Sequence, residues 1–317
     1  MYEPNVTLVD VGMPFKDGKL VEGKLAIRVH VRNKLRGSAL EEAVARGLTS
    51  PVPADIRGIP TDVIEARYTL SAGNGLSATS RTSANPRSRF AVLEGGISIS
   101  QVFANSAGTL GCLVVDPDGA PMILSNWHVL ARSWRTLANA PICQPGRLDG
   151  GDAGDTIASW TRDAMKAGLD AAVATLNGSR PIKNDQLGLG PVSGVGTPAV
   201  GMIVAKAGRT TQVTRGRITG IGGQLRIPYD GIPWTIQHVI SIDPLAGEPY
   251  VTQPGDSGSL HLEDASKEAL GLHFAGDRIS GRALAMDINP ILSALDVAIV
   301  TDPAVVLQAT EMEAAIA

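Results

Sequence analysis

The spacing of apolar residues changes character along this chain. "KLAIRVHVRNKL" (24–35) alternates apolar and polar positions as a half-buried strand does. "ALEEAVARGL" (39–48) carries helical spacing, and "PTDVIEARYTL" (60–70) returns to a strand pattern. Residues 1–70 therefore predict a small α+β module. "SAGNGLSATSRTSANPRSR" (71–89) is rich in Ser, Asn, Gly and Arg, offers little to bury, and predicts an exposed loop inside a linker over 71–95. From Gly96 onward short β-like runs dominate, among them "GTLGCLVVD", "PMILSNWHVLA", "DAAVATL", "VGMIVAKAG", "ITGIGGQLRI", "IQHVISI", "GSLHLED" and "EALGLHFAG". Many short strands broken by Gly, Pro, Asp and Asn predict antiparallel sandwiches or barrels rather than a helical or βαβ fold. The turn-rich interval 177–198 divides them into two β units, 96–180 and 181–298. "NPILSALDVAIV" has helical spacing, and a tail follows over 299–317.

Composition narrows the possibilities. At 317 residues, 44% apolar and 19% charged, the chain is globular and long enough for two or three units. A net charge of −3 gives no reason to expect nucleic acid as a partner. No apolar run approaches the ~18 residues of a membrane span. The N-terminus lacks the basic start and apolar core of a secretory signal, so a cytoplasmic location is expected. The only two cysteines, Cys112 and Cys143, lie in apolar settings and read as buried thiols; no cysteine and histidine spacing suggests a metal site, and no cofactor is implied. A mean hydropathy of +0.09 suits a homo-oligomer and a compact monomer equally.

The chemistry centres on "VTQPGDSGSL" (251–260). A serine hydroxyl is a poor nucleophile unless a base lies within hydrogen-bond reach and a buried acid holds that base. His128, at the end of an apolar run, and Asp170, at the mouth of "DAAVATL", are the candidates. The rival acid, Asp163, sits in the polar "WTRDAMK" and reads as a solvated charge. An α/β-hydrolase elbow needs G-x-S-x-G before a helix, but Ser259 occupies the second position after Ser257 and a strand-like run follows.

Taken together, "GDSGS", "SNWHVLA", "DAAVATL" and "GLHFAG", in the order His128, Asp170, Ser257, resemble the trypsin-like, chymotrypsin-fold serine peptidases. "AGRTTQVTRGRI" (207–218) is similar to a loop and strand of bacterial members. The resemblance covers about residues 96–298, and the layout also resembles the cytosolic branch that includes the Narrow Leaf type proteins. It implies a double antiparallel β-barrel and a serine endopeptidase acting on protein or peptide through an acyl-enzyme. Ser257 would be the nucleophile, His128 the base, Asp170 its orienting acid, and the amides of Gly255 and Ser257 the oxyanion hole, at roughly 3 kcal/mol per donor.

The same resemblance places the specificity pocket along Thr252, His273, Phe274 and Gly276. Val251 stands where trypsin-type enzymes carry an acid, which disfavours a basic P1 residue. Thr252 and His273 resemble the pair in glutamate-specific bacterial peptidases and in viral peptidases that accept glutamine, so a Glu or Gln P1 is expected; a core His273 bonded to a backbone carbonyl is the competing view. His30, His238 and His261 are expected to be structural or exposed. Relatives pair the residue at Asp256 with a new N-terminal ammonium, but no clear activation site precedes residue 96. Either an internal cation, for instance an Arg, pairs with Asp256, or the enzyme is latent until cut in the linker. Two other functions remain open: a silent or latent peptide-binding scaffold, its cleft restricted by Trp127, and an esterase or amidase acting on a small molecule.

Overall fold

The computed structural model describes residues 5–16, 19–71, 73, 84–302 and 306–307. Strands dominate, as the short apolar runs predict, and they form two large sheets. Among the described residues, no helix is long and apolar enough to cross a membrane.

The first sheet runs from Gly108–Thr109 through Ser98–Gln101, Pro141–Cys143, Thr156–Asp163, Ala172–Leu176, Pro121–Ser125 and Cys112–Val115 to Ala298–Ile299, antiparallel throughout. Pro121–Ser125 is buried at every position and Ala172–Leu176 at all but one. These continuous apolar runs are covered on both faces, which is why they lack period-two alternation. Cys112 and Cys143 are buried free thiols in this unit.

The second sheet begins with Ile203–Gly208, Leu260–Glu263, Glu268–Gly276, Ala283–Asp287, Ile232–Pro244 and Gln212–Tyr229. The last of these is 18 residues long and loses register against Ile232–Pro244 near Gly220 and Gly223. Extra residues at such bulges bend and twist a strand. Along this bulged stretch the strand's other edge pairs with Val6–Gly12, placing Gly12 opposite Gly220 and Leu8 opposite Leu225. Ala26–Val31 follows, antiparallel to Val6–Gly12, and then Ile59–Glu65 in parallel. The strands expected within 1–70 thus extend the second sheet, while the helix Gly37–Ala45 lies on the surface with no buried residue. Within the linker expected over 71–95, Ser71 and Pro86 are buried and Leu93–Gly95 forms a buried strand, while residues 72 and 74–83 lie outside the described residues. Ile288–Leu295 is helical as its spacing predicts, and of the tail only 299–302 and 306–307 are described.

A buried ion pair joins the N-terminal strands to this sheet. Arg28 donates from Nε to Asp10 Oδ1 at 2.7 Å and from Nη2 to Oδ2 at 2.5 Å, and both side chains are fully buried. Ser241 Oγ, from the neighbouring barrel strand, donates to the same carboxylate at 2.7 Å. Burial alone would raise the Asp10 pKa, but the Arg28 guanidinium and His30 outweigh it and hold the carboxyl well below its usual range. Removing one partner of such a pair strands a charge away from water. Arg28→Ala should therefore lower stability by about 3–5 kcal/mol, read as a shift in denaturant midpoint, and a loss below about 1 kcal/mol would contradict this role.

Candidate active site

Two adjacent strands of the first sheet carry the base and the acid. Pro121–Ser125 pairs with Ala172–Leu176, Ser125 opposite Ala172, so the residues flanking that end of the pair lie side by side. After Ser125 the chain makes a single helical turn, Trp127–Leu130, which turns His128 toward the second sheet; the sequence pattern predicts a strand ending in a turn here, and the structure makes that turn helical. His128 Nδ1 lies 2.5 Å from Asp170 Oδ2, and the His128 backbone N–H donates to Oδ1 at 3.1 Å. Asn126 Nδ2 donates to the Asp170 carbonyl at 2.7 Å, and the Tyr229 hydroxyl donates to Asp170 Oδ2 at 2.8 Å. A carboxylate accepting from the Nδ1 side leaves the Nε2 lone pair for another partner. That partner is Ser257 Oγ, 2.8 Å away; the Phe274 carbonyl, at 3.3 Å, is the weaker competitor for the same hydroxyl.

Ser257 belongs to the second barrel, and its loop is tied to the first. The Thr109 N–H donates to the Ser257 carbonyl at 2.7 Å, and Thr109 Oγ1 donates to the Gly255 carbonyl at 2.9 Å. Gly255 has φ +107, where a side chain would be strained and its Cβ would crowd Arg209 Nη1 at 2.7 Å. In this conformation the Gly255 amide points into the cleft, where it donates to the carbonyl of Ser71.

Asp256 is completely buried, and its cation is Lys206 rather than an arginine: Lys206 Nζ lies 3.2 Å from Asp256 Oδ2. The carboxylate also accepts from the amides of Thr210 (2.9 Å), Thr211 (3.1 Å) and Gln253 (3.0 Å) and from Thr211 Oγ1 (2.7 Å). Burial would push its pKa up, yet the Lys206 charge and these donors bring it below the ordinary value. Burial likewise lowers the Lys206 pKa, with Asp256 opposing the shift.

Beside Ser257, Thr252 Oγ1 and His273 Nε2 are hydrogen-bonded at 2.6 Å, and both residues are buried. A Cβ on Gly276 would meet Thr252 Cγ2 at 2.6 Å, so glycine keeps this wall open. The Phe274 side chain is fully buried and faces the core; only its carbonyl reaches Ser257. His261, expected to be structural or exposed, is buried with its ring centroid 5.7 Å from that of His273. Burial, reinforced by Lys206, lowers the His273 pKa to about 3, and burial lowers that of His261 well below its ordinary value. Val251 is buried in an apolar cluster with Val204, Ile218, Ile240 and Ile242. Trp127 is buried against Trp134 (4.4 Å) and the edge of Tyr229 (5.9 Å) rather than standing across the cleft. Asp163 caps the turn at Met165 N instead of meeting His128.

The structure brings the sequence candidates His128, Asp170 and Ser257 within hydrogen-bond reach of one another, and beside them it places Tyr229, Lys206 and Ser71, which the sequence pattern does not single out. Tyr229 ends a strand 59 residues from Asp170, and no local spacing marks that contact. Lys206 carried a signal in hindsight, being a lone lysine inside the apolar run "VGMIVAKAG".

No family model and no curated protein matches the sequence. Solved structures do. The Thermobifida fusca protease A aligns at TM-score 0.50 and 19% identity over 66% of this chain and 99% of that one. A Nocardiopsis protease aligns at TM-score 0.49 and 19% identity, covering 65% and 97%. A glutamic acid specific serine protease that uses a histidine triad in substrate binding aligns at TM-score 0.46 and 19% identity, covering 66% and 100%. At such identity the Thermobifida match shows the fold: the chain is mainly β and has the chymotrypsin-like double barrel.

Two outcomes follow from the buried charges. Between pH 6.5 and about 3 the unfolded chain protonates His273 while the folded chain does not. Stability should therefore fall with acid by about 1.4 kcal/mol per pH unit for each such histidine, and a flat denaturant midpoint from pH 7 to 5 would contradict the burial. Lys206→Met should cost about 3–5 kcal/mol by stranding Asp256, and adding Asp256→Asn should recover part of that loss in chemical denaturation; equal losses would break the pairing argument.

Proposed function

We propose that the protein is a serine endopeptidase that cleaves peptide bonds through an acyl-enzyme. The observation that carries this reading is the continuous chain Asp170, His128, Ser257, with contacts of 2.5 and 2.8 Å, ending beside the inward-facing amide of Gly255. In the reaction, Ser257 Oγ attacks the scissile carbonyl while its proton passes to His128 Nε2. Asp170 holds the imidazole in the productive tautomer and balances the imidazolium. The Gly255 and Ser257 amides stabilise the developing oxyanion, and His128 returns the proton to the leaving amine. Tyr229 and Asn126 position Asp170 and touch no reacting atom.

The pocket supports a Glu or Gln P1 residue. Thr252 Oγ1 and His273 Nε2 lie together beside Gly276, and the burial that keeps His273 neutral leaves it able to donate one N–H without carrying charge. Hydroxyl and imidazole can then share one carboxylate or carboxamide oxygen.

Profiling with a peptide library varied at P1 tests both parts. Glu or Gln should be preferred, Ser257→Ala should lower turnover by at least about 10³-fold, and Thr252→Val should weaken the P1 preference more than it lowers general turnover. A preference for Arg, Phe or Leu would refute the pocket assignment. Undiminished turnover by Ser257→Ala would refute the mechanism.

A further inference from the structure

The cleft beside Ser257 is filled by the chain itself. Thr69–Leu70 pairs antiparallel with the end of Glu268–Gly276, placing Leu70 opposite Ala275 and Thr69 opposite Gly276. At Ser71 the backbone N–H donates to the Phe274 carbonyl at 2.9 Å, and the carbonyl accepts from the Gly255 amide. Two residues on, Gly73 makes an antiparallel bridge with Ala107 on the opposite wall, just before the Thr109 that binds the Ser257 carbonyl. Ser71 Oγ faces the pocket wall, since a Cβ on Gly276 would meet it at 3.6 Å.

This is the arrangement an extended peptide substrate requires. Its backbone adds a strand to an exposed edge, which gives affinity, while one carbonyl sits at the oxyanion donors beside the nucleophile. The segment is also anchored upstream. The Tyr68 hydroxyl lies 2.7 Å from His30 Nδ1 and accepts from Arg282 Nη1 at 3.3 Å, and Arg282 is held by Asp243 at 2.7 Å.

On the basis of the serine-peptidase reading above, we propose that the chain is its own substrate and cuts the peptide bond between Ser71 and Ala72. Ser257 Oγ bonds to the Ser71 carbonyl carbon as its proton moves to His128 Nε2. The C–N bond to Ala72 breaks as that proton passes to the leaving nitrogen. Water then adds to the Ser71 ester and gives its proton to His128, which releases Ser257 and leaves a Ser71 carboxylate and an Ala72 amine. Serine is a poor match for a pocket built around Thr252 and His273, but a tethered and oriented carbonyl reacts at an effective concentration that can reach about 10⁵ M or more, which offsets a weak side-chain fit.

The test is denaturing intact mass on purified full-length protein, followed over time and on dilution, beside Ser257→Ala and His128→Ala. Wild type should give two fragments, one ending at Ser71 and one beginning at Ala72, whose summed mass exceeds the whole by one water. The rate should not change on dilution, and both variants should stay intact. Ser71→Pro, which removes the N–H given to Phe274, should lose self-cleavage while still turning over P1-library peptides. A wild-type chain that stays whole, cuts at another bond, or cuts at a rate that rises with concentration overturns the inference. If the whole chain, or the Ser71→Pro chain with its cleft cleared, still hydrolyses library peptides, the peptidase reading survives that failure; if neither hydrolyses any, both readings fall.

Discussion

The residue before Ser257 in this loop bears a negative charge with no access to water. Asp256 must remain ionised there, and Lys206 with four hydrogen-bond donors makes that state favourable. Because three of the donors are backbone or side-chain groups of Thr210 and Thr211, the carboxylate fixes one loop against another. Gly255 then adopts its positive φ and its amide faces the cleft. A cation supplied from within the fold has a chemical consequence: the loop is built without a newly exposed chain terminus. The proposed oxyanion hole can therefore exist in an uncut chain, which an internal substrate requires.

A second polar line runs from the N-terminal strands to the same cleft. Asp10 and Arg28 fasten the first strands to the barrel, His30 contacts both Asp10 and Tyr68, and Tyr68 meets Arg282 immediately before the segment that lies across Ser257. The N-terminal residues thus do more than lengthen a sheet. They lead into residues 69–71, which pair with the end of Glu268–Gly276 and reach the Phe274 carbonyl and the Gly255 amide on either side of Ser257.

An antiparallel β fold was legible in the sequence because most of its strands are short apolar runs separated by turn residues; the barrels came from the resemblance of the motifs, and the length of Gln212–Tyr229 was not visible in the pattern. His128, Asp170 and Ser257 were legible because each sits at the edge of such a run. Contacts that depend on tertiary closure were not. Tyr229 reaches Asp170 only after a bulged strand curls, and the Lys206 partnership depends on two loops meeting. The Ser, Asn and Gly composition after residue 70 reads as a linker, which conceals the fact that its first residue is buried at the site; composition reports what a segment can bury, not which edge it can pair with. The N-terminal strands were visible as strands, but their partner was not, since antiparallel pairing across more than 200 residues leaves no local pattern.

The central claim is that Ser257 is an activated nucleophile. Reacting the protein with a fluorophosphonate and mapping the adduct by mass tests it most directly. The account predicts one covalent adduct, on Ser257, in the whole chain or in the fragment that carries it, and none in Ser257→Ala. Absence of any adduct on Ser257 in either form, with the fold intact, would contradict it.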